Sequence, residues 1–340
     1  MLTIKEVADL AGVSKATVSR VINNSGYVSP QTRLKIESIM KQYNYLPSAS
    51  AVNLSRQETS TVGVVVPEIG NRFYADVVHG ITEMADQMNL SLVFFSTSNS
   101  PEQEEKAIRT LRQQQVRGII LGPSVDYMRS SIGRSIHSEL KALSVPIIVV
   151  DRMFENMEWD AVVYENFQSS YRAALELHKA GNRRLAILAG DLSLLIGRER
   201  FEGFRCGAEA LGLTIREEDI LQGNFRMDRA YELSKQMLTR GDLPDAIYCC
   251  NNLSTLGFLK AANECGIKIG EDIALLGNDR IEEVDFLGIG VSWIYRDTCQ
   301  MGRVAMRMLD ERVKKPDKCK TISVIPFQVE LNGSEKKRSL

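Results

Sequence analysis

The most informative absences in this sequence of 340 residues are long apolar runs and a strong net charge. No apolar stretch approaches the ~20 residues that a membrane-spanning helix requires, and the N-terminus lacks the apolar segment of a secretory signal. We therefore expect a cytoplasmic chain with no membrane partner. The formal net charge of −1 excludes a protein that is basic over its whole surface.

Histidine and cysteine are too scattered to indicate a metal site or a catalytic centre. The three histidines lie far apart, and the six cysteines lack the spacing of metal ligands. Cys249 and Cys250 fall in an apolar run, so we expect reduced, buried thiols. The chain also lacks a Walker loop, a nucleophile elbow and an HExxH motif, and Gly288 and Gly290 lack the third glycine of a dinucleotide fingerprint. We expect no enzymatic activity, no metal and no cofactor.

The small net charge is unevenly distributed along the chain. Residues 1–60 contain seven lysines and arginines against four acidic residues, a local charge of +3, so the remainder carries −4. A short basic segment on a mildly acidic body is the distribution that local contact with DNA requires.

Three short helices are predicted within the first 45 residues. Thr3 and Glu6 have the spacing of a capping box, and Gly12 ends the first helix. Ser14 caps the second helix and Pro30 begins the third. The spacing of the first two helices favours a helix-turn-helix, with a plain amphipathic hairpin as the alternative. The apolar faces are Ile4, Val7, Ala8 and Ala11, then Val18, Val21 and Ile22, then Leu34, Ile36, Ile39 and Met40.

The second helix lies in the stretch AGVSKATVSRVIN (residues 11–23), whose polar residues are suited to reading DNA. Lys15 and Ala16 occupy its leading edge, and Arg20 one turn later can form two hydrogen bonds to a guanine. The hydroxyl residues at helix starts favour phosphate binding, although they can equally be simple caps. The residues that we predict to contact DNA here are Thr3, Ser14, Lys15, Ala16, Thr17, Arg20, Asn23, Tyr27, Ser29 and Thr32.

From Thr61 onward, short β-rich runs alternate with helix-length segments. The runs TVGVVVP, SLVFFS, GIIL, PIIVV, RRLAILAG, AIYC and IALLG predict strands, and residues 74–88 and 102–115 predict helices. Apolar strands alternating with helices indicate parallel sheets covered on both faces. About 280 residues of this pattern divide best into two doubly wound lobes, with a ligand crevice at the carboxyl ends of the strands.

The stretches TIKEVADLAGVSKATVSRVIN and VSPQTRLKIESIMKQYNYLPS resemble the lactose-repressor (LacI/GalR) family of bacterial transcription regulators. The resemblance continues through IGNRFYADVVHGI, GIILGPS, PIIVVDR, GNRRLAILAG and RERFEGFRCG, and from AIYCC to ALLGND. It implies an α/β protein in which an all-α helix-turn-helix domain precedes a two-lobed, periplasmic-binding-protein-like core of doubly wound parallel sheets. It also implies a ligand-controlled repressor of carbohydrate-utilisation genes, which binds a pseudo-palindromic operator in double-stranded DNA as a homodimer or a pair of dimers.

The resemblance divides the chain into a DNA-binding domain (1–46), a hinge helix or linker (47–59) and an effector-binding and dimerisation core (60–340). Leu54 corresponds to the leucine that wedges into the minor groove of the operator. Ala51 is one of the small residues that let two hinge helices pack, and Val52 departs from the family's common arginine. The predicted N-lobe spans about 60–160 plus 292–322, and the C-lobe spans about 161–291 plus 323–334, with three crossings between the lobes.

The resemblance places a small-molecule effector in the crevice. Carboxylate, amide and guanidinium groups there would bind sugar hydroxyls, and aromatic rings would cover apolar faces. For Phe225 and Tyr164 the alternative to effector contact is a place in the apolar core. For Asp151 the alternative is a structural ion pair with Arg152 or Arg200. The predicted effector-binding residues are Phe73, Tyr74, Asp151, Arg152, Tyr164, Arg200, Phe225, Asn251, Asp279 and Arg296.

Some positions depart from the family pattern at this predicted site. Asn252 replaces an acidic residue, Glu165 replaces an aspartate, and Arg72 replaces a common proline. The loss of one acidic residue at Asn252 and the presence of Arg72 with three further arginines predict an excess of positive charge in the pocket. We therefore expect a sugar or an acidic sugar derivative as effector, with the acidic form favoured.

Two other function classes share parts of this pattern. A periplasmic sugar-binding protein would have the two lobes, but it needs a signal peptide and has no DNA-binding domain. An enzyme on a doubly wound fold would need a catalytic constellation that no motif supplies. No heptad-repeat tail follows the core, so a tetramer has no support from the sequence.

Overall fold

The computed structural model describes residues 2–45 and 59–337. The chain forms two compact units, of which one contains the three N-terminal helices and the other contains two β-sheets with their helices. The predicted hinge residues Ala51, Val52 and Leu54 lie outside the described residues. Within the described ranges, no helix is long and apolar enough to span a membrane.

The predicted start and end signals of the N-terminal helices are confirmed. Thr3 and Glu6 form a reciprocal capping box, and Gly12 ends the first helix with φ 70°. The hydroxyls of Ser14 and Ser29 each accept the backbone N–H three residues on, which satisfies a donor that the first helical turn leaves unpaired. The helices are α1 (Ile4–Ala11), α2 (Lys15–Asn23) and α3 (Pro30–Gln42).

A small apolar core joins these three helices. Val7 of α1, Val18 of α2 and Ile36 of α3 are completely buried in it. The assignment of Leu34 to the apolar face of α3 was wrong, because this side chain is 66% exposed. Successive residues of an α-helix advance by about 100°, which puts Leu34 on nearly the opposite side of α3 from Ile36.

The larger unit contains twelve strands and nine α-helices within the described residues. The strands are β1 (Thr61–Val66), β2 (Ser91–Ser96), β3 (Gly118–Leu121), β4 (Ile147–Val150), β5 (Asp160–Tyr164), β6 (Leu185–Ala189), β7 (Ile220–Gln222), β8 (Ala246–Cys249), β9 (Ala274–Asn278), β10 (Ser292–Arg296), β11 (Ile322–Ile325) and β12 (Phe327–Glu330). The helices are α4 (Arg72–Gln87), α5 (Pro101–Gln114), α6 (Ser131–Lys141), α7 (Asn166–Lys179), α8 (Leu195–Ala210), α9 (Met227–Thr239), α10 (Asn252–Glu264), α11 (Glu282–Phe286) and α12 (Thr298–Lys314).

The strands form two six-stranded sheets, which define the N-lobe and the C-lobe. The N-lobe sheet has the order β11-β5-β4-β3-β1-β2, and the C-lobe sheet has the order β12-β10-β9-β8-β6-β7. Strands β3, β4 and β5 pair in parallel, as do β8, β9 and β10. The two-lobed, doubly wound architecture is therefore confirmed. One antiparallel pair, β10 with β12, closes an edge of the C-lobe sheet.

The predicted lobe boundaries at residues 160, 291 and 322 were wrong. Strands β5 and β11 belong to the N-lobe sheet and β10 belongs to the C-lobe sheet, because the chain leaves a sheet only after the carboxyl end of a strand. The chain passes between the sheets three times, after Tyr164, after Arg296 and after Ile325. All three crossings lie at the edge where the strands end.

Helices α4 and α12 pack closely against each other in the N-lobe. A side-chain carbon at Gly302 would overlap the carbonyl oxygen of Val77, and one at Gly80 would overlap the carbonyl oxygen of Cys299. Glycine at both positions lets the two backbones touch. This packing fixes the direction of α4, whose first turn carries Phe73 toward the crevice.

Candidate functional site

A cavity of about 910 Å³ lies between the two lobes at the carboxyl ends of the strands. It is lined by nine of the ten predicted effector residues: Phe73, Tyr74, Asp151, Arg152, Arg200, Phe225, Asn251, Asp279 and Arg296. The tenth, Tyr164, is not part of the lining. Its ring centroid lies 4.2 Å from Cζ of Arg296, and its hydroxyl donates to the carbonyl of Asp297 at 3.0 Å. Tyr164 therefore supports an arginine of the cavity from behind.

Six residues of the lining have an uncommon backbone conformation, and three of them are predicted effector-binding residues. Asp151 follows β4, Phe225 follows β7 and Asp279 follows β9, and their φ angles are 64°, 60° and 68°. Residues other than glycine rarely adopt this left-handed conformation, and such strain is concentrated at functional sites. At these positions it turns the chain sharply at the end of a strand.

Asp151 is a buried acceptor with one free oxygen. Its Oδ2 accepts the hydroxyl of Tyr74 at 3.0 Å, while its Oδ1 is buried and has no partner among the described residues. Burial raises the pKa of Tyr74 well above its usual value, so the phenol stays a donor at neutral pH. The predicted alternative, an ion pair of Asp151 with Arg152 or Arg200, does not occur within the described part of the chain.

Arg296 and Ser124 supply two further buried polar atoms to the cavity. Nε of Arg296 donates to Oδ1 of Asp279 at 2.8 Å, whereas Nη1 is buried without a partner in the described ranges. Oγ of Ser124, which follows β3, is also buried without a described partner. One acceptor, one donor and one hydroxyl thus remain available to a ligand.

The other two buried arginines of the cavity are held by neutral acceptors. Arg200 donates from Nε to Asn166 Oδ1 at 3.0 Å and from Nη1 to the carbonyl of Cys250 at 2.6 Å. Arg152 donates from Nη1 to Asn99 Oδ1 at 2.8 Å. These bonds fix the planes of both guanidinium groups and leave their remaining N–H groups for other acceptors.

The expected excess of positive charge does not hold for the cavity as a whole. Arg72 lies outside the lining, because its guanidinium turns to the rim and contacts Asp76, Glu282 and Glu283 at 2.9–3.5 Å. The lining contains six carboxylates and five cations. They are Glu68, Asp151, Asp191, Asp228, Glu232 and Asp279 against Arg152, Arg200, Arg226, Lys260 and Arg296.

Sequence reasoning missed several lining residues. Ser124 follows strand β3, so its position at the carboxyl edge of the sheet was the available signal. Asn71 precedes α4 and lies in the stretch IGNRFYADVVHGI that carries the family resemblance, which was the available signal. The lining residues not predicted as effector contacts include Glu68, Asn71, Ser98, Asn99, Ser124, Asp191, Leu194, Ile196, Met227, Tyr231, Asn252, Leu253 and Lys260.

Helix α2 presents the predicted DNA-reading residues on its exposed side. Lys15, Ala16 and Arg20 are exposed, and Asn23 is half-buried. Tyr27, beyond the helix, is 86% exposed. Their contacts with DNA stay predictions.

The predicted DNA-contacting hydroxyl groups of this domain take part in helix caps. Oγ of Ser14 lies 3.0 Å from Oγ1 of Thr17, and Oγ of Ser29 lies 2.8 Å from Oγ1 of Thr32. A hydroxyl that caps a helix can still contact a phosphate, so both interpretations remain open for these four residues.

A helix-turn-helix unit and a two-lobed core with a polar cleft define a class of protein: DNA-binding regulators that also bind a small molecule. The family described as bacterial regulatory proteins, lacI family, matches residues 3–48. The family described as periplasmic binding proteins and sugar binding domain of LacI family matches residues 59–331. The chain therefore belongs to the LacI family of bacterial transcription regulators, which confirms the resemblance seen in its sequence.

Named relatives agree with this assignment. The chain is 32% identical over 318 residues to the HTH-type transcriptional repressor PurR of Haemophilus influenzae (strain PittEE), covering 93% of each chain. It is 29% identical over 317 residues to the ribose operon repressor of Haemophilus influenzae (strain ATCC 51907), again covering 93% of each. A crystal structure of the Lac repressor dimer bound to operator and the anti-inducer ONPF has a TM-score of 0.86 at 24% identity, covering 98% of this chain and 99% of that one. This likeness confirms the predicted fold.

Proposed function

We propose that this chain is a ligand-controlled repressor of carbohydrate-utilisation genes, with a sugar or sugar derivative as its allosteric effector. The observation that carries the proposal is the presence in the cleft of three buried polar atoms without described partners, Asp151 Oδ1, Ser124 Oγ and Arg296 Nη1. Buried polar atoms are rarely unpaired in native proteins, and each costs about 1–3 kcal/mol when it is. A hydroxyl both donates and accepts, so a ligand with several hydroxyls can satisfy all three.

The balance of charge in the cleft favours a neutral sugar over an acidic one. Arg296 is neutralised by Asp279, and the lining as a whole has no cationic excess. Arg152 and Arg200 can donate to neutral oxygens as they do to Asn99 and Cys250. An acidic derivative is the alternative to test.

The DNA-binding step rests on the N-terminal unit and on the names of the relatives, which are repressors. We propose that two copies bind a pseudo-palindromic operator in the bacterial cytoplasm, with Arg20 reading a base and Leu54 wedging the minor groove. Effector binding between the lobes and operator binding are then coupled, and each changes the affinity of the other by the same factor. We expect no catalytic step.

Thermal-shift measurements on the full chain test the effector class. Neutral sugars, uronates, sugar phosphates and nucleobases are compared on the wild type and on Asp151→Asn. This variant is chosen because its amide places a donor where the carboxylate of Asp151 has a free acceptor. We expect neutral sugars to raise the melting temperature of the wild type and to lose most of this effect in the variant. Stabilisation by acids alone would favour the acidic derivative, and stabilisation by nucleobases alone would overturn the carbohydrate effector.

Selection of bound fragments from a random DNA library tests the operator. We expect enrichment of an inverted repeat and, in light scattering, a complex with the mass of one fragment and two protein chains. The fraction of DNA bound should change when the stabilising sugar is added. Enrichment of sequences without two-fold symmetry would contradict the dimeric arrangement.

A further inference from the structure

We propose that the effector contains at least two sugar units and that the second unit occupies an outer subsite formed by Met227, Tyr231, Leu253 and Lys260. This inference rests on the proposed carbohydrate effector and extends it to a chain length. All four residues line the cavity, and they lie on α9 and α10 of the C-lobe.

The size of the cavity and the position of its unpaired atoms favour a ligand with two parts. At about 910 Å³, the cavity is near the upper end of the ~300–1,000 Å³ range of pockets for drug-sized ligands. Its unpartnered atoms belong to Ser124, Asp151 and Arg296, which are all at most 6% exposed. A single ring bound to these three atoms fills only the buried end and leaves the outer part to water.

The outer subsite is built by close packing of α9 against α10. Met227 and Tyr231 are four residues apart on α9 and share one face. Leu253 and Lys260 are seven residues apart on α10 and also share one face. A side-chain carbon at Gly257 of α10 would lie 2.7 Å from Cβ of Ala230 and 2.8 Å from the backbone nitrogen of Tyr231. Glycine at this position therefore lets the two helices bring the four side chains together.

The chemistry of the outer subsite suits a second sugar ring. Met227 is 39% exposed and Leu253 is half-buried, so both offer apolar surface to the C–H face of a ring. Nζ of Lys260 lies 4.5 Å from the ring centroid of Tyr231 and has no hydrogen bond or ion pair with a described carboxylate. Its three N–H groups are therefore available to sugar oxygens.

An ionised acceptor completes this subsite. Asp228 also lines the cavity, and hydrogen bonds from Arg226 and from the backbone of Arg229 lower its pKa to about 2. Its carboxylate thus accepts hydroxyl groups at any physiological pH. Donor, acceptor and apolar surface occur side by side, as in sites that orient an amphipathic ligand.

Lys235 provides a matched control for Lys260. Its Nζ lies 5.3 Å from the same Tyr231 ring, but it donates to Glu264 at 2.8 Å and does not line the cavity. Loss of either lysine removes one cation from the Tyr231 ring. Loss of Lys235 also removes a hydrogen bond to the Tyr231 hydroxyl at 3.0 Å, whereas only loss of Lys260 removes a group from the proposed subsite.

Titration calorimetry on the full chain compares glucose and galactose with cellobiose, maltose and lactose. We expect at least one disaccharide to bind about tenfold more tightly than its component monosaccharides. Lys260→Ala and Met227→Ala should each lower the affinity for that disaccharide by about fivefold or more. The affinities for the monosaccharides should stay within about twofold of the wild-type values. Lys235→Ala should change neither, and equal melting temperatures of the variants establish that they are folded.

The outcomes separate this inference from the proposed function. Monosaccharides that bind as tightly as every disaccharide, with no effect of Lys260→Ala, overturn the outer subsite and leave the carbohydrate effector in place. Failure of every saccharide of either length to bind overturns the carbohydrate effector, and the subsite with it.

Discussion

The side-chain amide of Asn252 in the C-lobe donates to Oδ1 of Asn71 in the N-lobe over 2.8 Å. The same oxygen accepts the backbone N–H of Phe73 at 3.0 Å, where Asn71 caps helix α4. Both asparagines are buried. One oxygen atom therefore begins a helix of one lobe and joins that helix to the other lobe across the cleft.

Asn252→Asp is expected to weaken the contact between the lobes. The carboxylate still accepts the N–H of Leu253, which Asn252 Oδ1 accepts at 2.8 Å, but it opposes Oδ1 of Asn71. Asn71 cannot turn its amide to compensate, because the turn removes its cap on Phe73. We expect a loss of about 1–3 kcal/mol in the free energy of unfolding and weaker sugar binding, measured by chemical denaturation and calorimetry.

Asn71→Asp is the matched control for this change. It keeps an acceptor for both donors and adds a negative charge at the N-terminus of α4, where the helix dipole favours it. Wild-type stability is expected. If Asn252→Asp also behaves as the wild type, the bond does not hold the lobes together.

Two ion pairs between the lobes are expected to differ in strength. Arg198 contacts Asp126 at 3.2 Å, with side-chain exposures of 22% and 2%. Arg72 contacts Glu282 and Glu283 at 3.4 and 3.5 Å, and all three side chains are more than half exposed. Water and salt screen the second group far more than the first.

Arg198→Gln is therefore expected to cost about 1–3 kcal/mol of unfolding free energy, because the buried carboxylate of Asp126 loses its closer arginine and keeps only Arg129 at 3.7 Å. Arg72→Gln is expected to cost less than about 1 kcal/mol, and this cost should vanish in high salt. Urea denaturation at low and high ionic strength checks both values. Equal costs for the two variants would show that burial of Asp126 does not decide the strength of the contact.

Glu104 predicts a specific pH dependence of stability. Its carboxylate is fully buried and accepts the backbone N–H of Ser124 at 2.6 Å and the hydroxyl of Tyr127. Burial raises the pKa of Glu104 above its ordinary value, so the folded chain binds this proton more tightly than the unfolded chain. The stabilisation by this proton is present at low pH and is lost as the pH rises through the folded pKa.

Glu104→Gln removes this titration and keeps an acceptor for Ser124. Its melting temperature relative to the wild type is therefore expected to increase as the pH rises from about 4 toward 8. Glu102→Gln gives the opposite control, since a hydrogen bond from Ser100 lowers the pKa of Glu102. The carboxylate of Glu102 stabilises the fold at pH values above its ordinary pKa. The melting temperature of Glu102→Gln should therefore fall relative to that of the wild type as the pH rises. The same trend in both variants would contradict the assignment.

The parts of the structure that the sequence predicted are those governed by local rules. The caps at Thr3 and Ser14 involve residues three apart, so their position is visible without the fold. The effector residues were predicted instead from the family resemblance. The lobe to which β5 and β10 belong was not predictable in this way. Strand β5 pairs with β4 and with β11. Because β11 is distant in sequence, no local sequence pattern indicates to which sheet β5 belongs.

The site shows the same limit. Asp151 and Arg296 were predicted from the family resemblance. Asn71 and Ser124 were not, although they lie in the stretches IGNRFYADVVHGI and GIILGPS that carry this resemblance. Arg72 was placed in the pocket by its position in the sequence, but its side chain bonds to Asp76 four residues on and turns to the rim. Side-chain direction depends on such partners, which composition does not reveal.

Arg20 carries the last prediction, which concerns DNA reading. Val18 and Val21 anchor the inner face of α2, at 0% and 6% exposure, and Arg20 is exposed. Gly26, with φ 68°, leaves space beside its aliphatic chain, because a side-chain carbon there would lie 3.5 Å from Cδ of Arg20. The guanidinium can therefore reach a base without disturbing the core of the domain.

Arg20→Ala is expected to cost about 1–3 kcal/mol of affinity for the selected operator and to leave the helical content unchanged. Arg20→Lys should restore binding to unrelated DNA but not the base preference, because an ammonium lacks the two-pronged geometry of the guanidinium. Arg33→Ala is the control, since Arg33 donates to Asn24 at 2.8 Å within the domain. Binding-site selection with each variant measures the preference. If Arg20→Lys keeps the wild-type preference at every position of the site, Arg20 contacts the phosphate backbone rather than a base.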